Sequence, residues 1–293
     1  MTMIPEQAWD CHVHVVGDPE HYPMLPSRPY TAGLATVDDL RAHLARIGLQ
    51  RAVIIQPSFY GTDNRCLLDA LHEMEGDARG IAVLDLSVSN AELKRMDEAG
   101  VRGIRLNLES YGLSAGGDLR DTLEQWAKRV ADLGWHLQVY AAWSVIRPCL
   151  PWLGSLPVPV VIDHFGLVPP AGEQQDGKEP GGEASEQASQ LLAEALAGGN
   201  IYVKLSGSYR VPGASPAGLT RLARSLVSAN ADNVVWASDW PHTNREPGKA
   251  PTEVSAFRQV APQGLLAEIT DWLPDEDTAR KVLRDNPERL YRF

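Results

Sequence analysis

The sequence predicts a single domain over residues 1–293, folded as an eight-stranded parallel α/β barrel. Three observations carry this. Short β-rich runs alternate with segments of helical periodicity, and there are eight such runs, the number that closes a barrel. Polar residues collect at the C-terminal ends of the runs, where a barrel places its working groups. No GxGxxG follows the first run, which argues against the open doubly wound sheet of a dinucleotide-binding fold.

The runs are 8–15, 51–56, 80–85, 103–107, 136–140, 158–164, 201–206 and 233–239. In the first, WDCHVHVVG, strict alternation puts Asp10, His12 and His14 on one face and Trp9, Cys11, Val13 and Val15 on the other. Burying two imidazoles and a carboxylate costs several kcal/mol, on the order of 2–7 for each unpaired polar group, so packing alone does not explain the pattern. The helical segments are TVDDLRAHLARIG, NRCLLDALHEM, NAELKRMDEAG, LRDTLEQWAKRVADLG, EASEQASQLLAEALAGG and SPAGLTRLARSLVSAN. Thr36, Asn90 and Ser215 read as N-caps, and Gly48, Gly100, Gly134 and Gly198 stand where a left-handed C-terminal residue belongs. HYPMLPSRPYTAG, after the first run, is rich in Pro and Tyr and suits the wall of a site. VPPAGEQQDGKEPGGEAS, after the sixth, is aperiodic and reads as a solvated loop. The closing DEDTARKVLRDNPERLYRF reads as a helix interrupted near Pro287.

Composition sets the outer limits. With 44% hydrophobic and 22% charged residues the chain has ample material for a large core. A net charge of −11 repels phosphate backbones and anionic membrane surfaces, so neither nucleic acid nor membrane is an expected partner. An anionic substrate therefore needs a local cluster of arginines. Cys11, Cys66 and Cys149 are scattered and form no CxxC, which speaks against a disulfide framework or a thiolate zinc site. The N-terminus lacks the pattern of a secretory leader, and a cytoplasmic location is expected. A homo-oligomer stays open.

The strand ends supply His12 and His14, Gln56 and Ser58, Arg105 and Asn107, Tyr140, Asp163 and His164, the stretch from Lys204 to Arg210, and Asp239. Three imidazoles and a carboxylate around one mouth (His12, His14, His164, Asp239) suit one divalent ion, Zn²⁺ above all, or a metal-free centre in which the rings donate hydrogen bonds.

DCHVH on the first run, IDHFG on the sixth and ASDWPH on the eighth resemble the amidohydrolase superfamily of barrel enzymes. QPSFYGTDN, GIRLN and the terminal NPERLY resemble its lactonase branch, whose substrates include pyrone dicarboxylates and sulfomuconolactones. The resemblance spans Asp10 to Tyr291. It implies that His12, His14, His164 and Asp239 form the catalytic or metal-binding centre. It also implies that Arg105 and Arg210 hold a substrate carboxylate, with Tyr140 and Ser58 nearby and His242 beside the base. In chemical terms a guanidinium is the side chain suited to a bidentate grip on a carboxylate.

Two departures follow. Glu109 and Tyr111 stand where pyrone-dicarboxylate enzymes carry a second arginine, so a tightly held dicarboxylate is not expected. Arg105 and Asn107 stand where the superfamily's metal-bridging lysine would be, so a two-metal centre is not expected. The expected activity is hydrolysis of a small carboxylated lactone with Asp239 as general base. The alternatives are a lactone isomerase and a non-oxidative decarboxylase of an aromatic acid.

Overall fold

The computed structural model describes residues 4–108, 117–169 and 182–293. Glu109, Tyr111 and most of the VPPAGEQQDGKEPGGEAS loop lie outside the described residues. Among those described, eight parallel strands form one sheet in sequential order: β1 Trp9–Val13, β2 Arg51–Ile55, β3 Ala78–Ala82, β4 Val101–Asn107, β5 His136–Tyr140, β6 Val160–Ile162, β7 Ile201–Ser206 and β8 Val234–Ala237. Just past the ends of β1 and β8 the sheet closes on itself. His14 N donates to Trp240 O (2.8 Å), and Asp239 N donates to His12 O (3.1 Å). Barrel closure leaves no sheet edge exposed.

Within β1 the expected alternation fails. Asp10 pairs with Ala52 but Val13 pairs with Ile54, so β1 advances three residues while β2 advances two. This bulge re-aims the strand. Trp9 and Cys11 belong to the barrel interior together with Val53, Ile55, Ile81, Val161 and Val235, and His12 and His14 also point inward. Asp10 instead faces the helix layer, where its Oδ2 lies 3.5 Å from His43 Nε2 on helix Val37–Ile47. The first run therefore does not place Asp10 on the histidine face.

Other boundaries moved for local reasons. β3 ends at Ala82 because the Asn64 amide captures the next backbone unit, with Oδ1 accepting from Val83 N and Nδ2 donating to Val83 O. Helix Asn90–Glu98 is capped by Ser89, whose hydroxyl accepts from Glu92 N at 3.1 Å, and Asn90 is its first residue rather than its cap. Gly199, not Gly198, takes the left-handed turn after helix Gly182–Ala197 (φ +87°). Between β5 and β6 the crossover is two single helical turns, Trp143–Ile146 and Leu150–Leu153, with prolines at 148 and 151. Near the C-terminus a π-helical turn, Lys281–Asp285, leads into Asn286–Tyr291, so the interruption expected near Pro287 is present.

The interior is layered. Trp9, Tyr202, Leu290 and Tyr291 join the aliphatic residues that fill the lower barrel. Above them the β1, β4, β5 and β7 positions and Asp163, just past β6, turn polar, and the mouth opens at the C-terminal strand ends. Two-residue segments, Thr31–Ala32 and Val254–Ser255, pair in parallel and tie the loop after β1 to the loop after β8. Pro29 and Tyr30 of the first loop line the mouth, as its composition suggested.

Gly103 on β4 faces His136 on β5, and a Cβ there would come within 2.8 Å of the His136 ring and its carbonyl oxygen. Gly103→Ala is expected to cost about 1–3 kcal/mol by overpacking, read as a lowered urea midpoint. An unchanged midpoint would mean that the ring moves aside freely.

Candidate active site

The floor of the mouth is built around Asp239, which follows β8 in the left-handed region (φ +63°), a conformation that costs of order 1–3 kcal/mol for a non-glycine residue. Its two oxygens face different surroundings. Oδ2 accepts from Arg210 Nε and from Tyr209 Oη (2.7 Å). Oδ1 has no hydrogen-bond partner among the described residues, yet three imidazole nitrogens point at it: His12 Nε2 and His14 Nε2 at 3.7 Å and His164 Nε2 at 3.9 Å. Burial alone would raise the Asp239 carboxyl, but the Arg210 guanidinium holds it well below the usual carboxylate range.

The rings are set from behind. His14 Nδ1 lies 2.8 Å from the Ile55 carbonyl oxygen, so Nδ1 carries the proton and Nε2 presents a lone pair to the centre. His12 Nδ1 lies 3.4 Å from Asp163 Oδ1. His164, also left-handed (φ +49°), places Nδ1 2.8 Å from Ser206 Oγ. Gly207 makes room there, since a Cβ on it would lie 2.8 Å from His164 Nδ1. Burial pushes His12 well below its ordinary value and lowers His14 and His164 to about 4, so all three rings are neutral at pH 7.

Beneath this layer a buried network fixes Asp163. Arg105 Nε donates to Asp163 Oδ2 (3.1 Å), as does Gln138 Nε2 (3.0 Å). Lys204, fully buried, donates to Gln138 Oε1 (2.8 Å) and lies 3.5 Å from Asp163 Oδ1. Burial works against the Asp163 charge, but the Lys204 and Arg105 cations hold its carboxyl well below the ordinary range.

The cavity above has a volume of about 300 Å³. Of the residues expected there, His14, Ser58, Arg105, Tyr140, His164, Arg210 and Asp239 line it, and His12 lies just below. Tyr140 stands edge-on to His164 and lies under the Arg105 guanidinium. His242 is beside Asp239 but not on the cavity wall. Its N donates to Asp239 O (2.8 Å) and its Nδ1 faces Tyr209 Oη (3.3 Å), so it backs the tyrosine. Arg210 is already paired with Asp239, and its Nη2 reaches Thr243 Oγ1 (3.1 Å).

Sequence reasoning gave Tyr209 no role of its own within the stretch from Lys204 to Arg210, and passed over Gln138, Arg245 and Arg258. Tyr209 adjoins Arg210 in GSYR, and Arg245 lies three residues beyond ASDWPH, so proximity to a motif could have raised both. Gln138 and Arg258 carry no sequence signal.

The residues fit a single divalent ion. Two buried atoms that face one point, His12 Nε2 and Asp239 Oδ1, have no hydrogen-bond partner. His12, His14 and Asp239 form one set of potential ligands, and His12, Asp163 and His164 form another. Spacings of 3.7–3.9 Å are near the edge of about 3.4 Å expected for tetrahedral ligands at about 2.1 Å. The backing of His14 by a carbonyl and of His12 by a carboxylate is the arrangement that orients metal-binding imidazoles.

Comparison with known proteins places this geometry. The amidohydrolase family pattern matches residues 9–293. The chain belongs to the amidohydrolase family. It is 31% identical over 299 residues to the 2-pyrone-4,6-dicarboxylate hydrolase of Comamonas testosteroni, covering 98% of this chain and 91% of that protein. It is 30% identical over 295 residues to the 4-sulfomuconolactone hydrolase of Hydrogenophaga intermedia, covering 99% and 90%. Among solved structures, a probable 2-pyrone-4,6-dicarboxylic acid hydrolase from Acinetobacter baumannii, with citric acid bound, superposes with a TM-score of 0.78 at 26% identity. That match covers 98% of this chain and 100% of the other. Like other amidohydrolases the chain folds as a barrel with His and Asp groups able to hold a metal. None of its described helices is long and apolar enough to cross a membrane.

Stability should fall in mild acid. His14, His164 and His242 are lowered to about 4 and His136 to about 3, chiefly by burial, while in the unfolded chain they titrate near 6.5. Below 6.5 the unfolded state takes up protons that the native state refuses, so stability is full above that pH and declines from 6.5 toward 4. Glu268, pushed up to about 7 by burial, acts in the opposite sense, as one group against four. Melting temperatures between pH 8 and pH 4.5 check this, and a flat profile would contradict it.

Proposed function

We propose that this chain hydrolyses the ester bond of a small carboxylated lactone. The observation that carries the reading is Asp239 Oδ1, a buried, charged and unpartnered oxygen ringed by three imidazoles at the floor of a cavity with guanidinium walls. The similarity to lactone hydrolases over nearly the whole chain supports it.

In this reading Arg210 and Tyr209 fix Oδ2, which leaves Oδ1 to take a proton from the attacking water. As the water oxygen bonds to the lactone carbonyl carbon, the oxyanion develops beside His164, whose Nε2 carries a proton when Ser206 donates to its Nδ1, while the Nε2 lone pairs of His12 and His14 suit a cation at the centre. The acyl C–O bond of the ring then breaks, and the proton held on Asp239 passes to the departing alkoxide or enolate. Arg105, braced by Asp163, binds the substrate carboxylate and so converts binding energy into orientation. Ser58 and Tyr140 complete that wall. A divalent ion, for which zinc is the reading the donor set favours, would be held by His12, His14, His164 and Asp239. When bound it would supply carbonyl polarisation and a more acidic water.

Incubation with a panel of carboxylated lactones, following acid release and product, tests the reading directly. Hydrolysis liberates acid, isomerisation is nearly neutral and decarboxylation evolves CO₂. On the substrate so found, Asp239→Asn is expected to lose at least about 10²-fold in kcat with the fold intact by circular dichroism. Near wild-type turnover would remove Asp239 from the mechanism.

Elemental analysis of protein purified without chelator is expected to find one zinc per chain, and His12→Ala should lower bound zinc and activity together. Absence of metal, with a rate that chelators leave unchanged, would establish the metal-free version in which the imidazoles act alone.

A further inference from the structure

Helix Val37–Ile47 buries Val37, Leu40, Leu44 and Ile47, and one polar residue, His43, stands in that apolar row. A buried imidazole needs partners. Among the described residues its hydrogen-bond and ion-pair partners are Ser238 Oγ at 3.2 Å and Asp10 Oδ2 at 3.5 Å, both facing Nε2. Asp10 Oδ2 makes no hydrogen bond to any described residue, so Nε2 is the donor set against it. Ser238 Oγ also accepts from Trp240 N (3.0 Å), and a proton on His43 Nε2, lying between the hydroxyl and the carboxylate, serves both acceptors. The ring is stacked on Trp240, with centroids 5.7 Å and planes 27° apart.

These contacts bracket the base. Ser238 and Trp240 stand on either side of Asp239, and His43 meets both. Both lead back to the histidines, since Asp10 Oδ1 accepts from Ser238 N (3.0 Å) and His12 N (3.2 Å), while Trp240 O accepts from His14 N (2.8 Å). Asp239, in the left-handed region, depends on such neighbours to stay there. We propose that His43 is a positioning residue, which through Ser238, Asp10 and Trp240 holds the turn so that Asp239 Oδ1 stays opposite His12 Nε2 (3.7 Å). His43 is absent from the cavity wall, so it acts only through these neighbours. The catalytic consequence rests on the reading of Asp239 as the base, but the hold on the turn does not. Displacing a reacting group by about 1 Å costs up to about 10²-fold in rate, whereas the groups that bind substrate stay in place, so the loss falls on kcat.

Two substitutions separate positioning from packing. His43→Phe keeps a flat ring without a donor, and His43→Gln keeps an N–H donor at similar reach. On the lactone identified by the panel, His43→Phe is expected to lower kcat about tenfold or more with KM within about twofold, and His43→Gln to recover most of that loss. Hydrogen exchange gives a second readout that needs no substrate. In His43→Phe the Ser238, Asp239 and Trp240 amides should exchange about tenfold faster or more, while those of β4 and β5 keep wild-type rates; in His43→Gln the turn should be protected again. Ser238→Ala, which deletes only the hydroxyl, is expected to change kcat and exchange in the same direction and decides the matter if His43→Phe fails to fold. Equal behaviour of the two His43 variants, or faster exchange with kcat unchanged, would overturn the proposal and leave His43 as a packing residue. Failure of every lactone to react, with exchange at the turn still following the donor at position 43, would sink the lactone reading and leave the hold on the turn standing.

Discussion

Between Asp10 and Val13 the first strand carries one residue more than its neighbour, and the centre of the molecule depends on that slip. It lets Cys11 and His12, adjacent in sequence, both face the barrel interior. His14 follows on the same side, while Asp10 is left in the helix layer. There Asp10 is put to separate use. Its Oδ1 accepts from Ser238 N (3.0 Å) and from His12 N (3.2 Å), so one carboxylate clamps the backbone of the first strand to that of the last, next to Asp239. Barrel closure and assembly of the centre are thus one event. The same few residues join β1 to β8 and bring the histidines against the aspartate.

Two carboxylates, Asp163 and Asp239, divide the electrostatic labour. Asp163 meets donors on both sides: Arg105 and Gln138 donate to its Oδ2, the Lys204 ammonium (3.5 Å) and His12 Nδ1 (3.4 Å) face its Oδ1 outside hydrogen-bond geometry, and it serves to fix them. Asp239 is saturated on one oxygen only. Asymmetric satisfaction of this kind is expensive in a fold and useful at a site, because the unpartnered oxygen keeps its full capacity to accept. The left-handed backbone at Asp239 and His164 belongs to the same account, since both sit where the chain leaves a strand and turns across the mouth.

The cost is met by layering. Large apolar side chains fill the lower barrel, and Tyr291 and Leu290 from the C-terminal helix pack with them. The polar network begins one layer higher, already shielded from below. Its members come from four strands and the residue just past β6, so each hydrogen bond is a contact between distant parts of the chain. A surface that is acidic overall and a mouth that is cationic then give an anionic ligand one favourable place to go.

By itself the sequence determined the barrel, because eight alternations of period-two and period-3.6 patterning admit few other architectures. It also determined most of the central residues, because HxH, IDHFG and ASDWPH lie at strand ends that any such barrel must gather at one mouth. It could not determine which way Asp10 points. Alternation is a local rule, and the bulge that breaks it is set by pairing with β2 and by closure onto β8. Nor could it reveal that His242 backs Tyr209, that Arg210 is already held by Asp239, or that Lys204 and Gln138 lie deep in the interior beneath His12. Each of these is a contact between residues separated by tens of positions or more. Arg258 is the clearest case: no motif surrounds it, and only the tertiary structure carries it to the cavity that Arg105 also lines, because charge placement around a barrel mouth depends on closure rather than on neighbours in sequence.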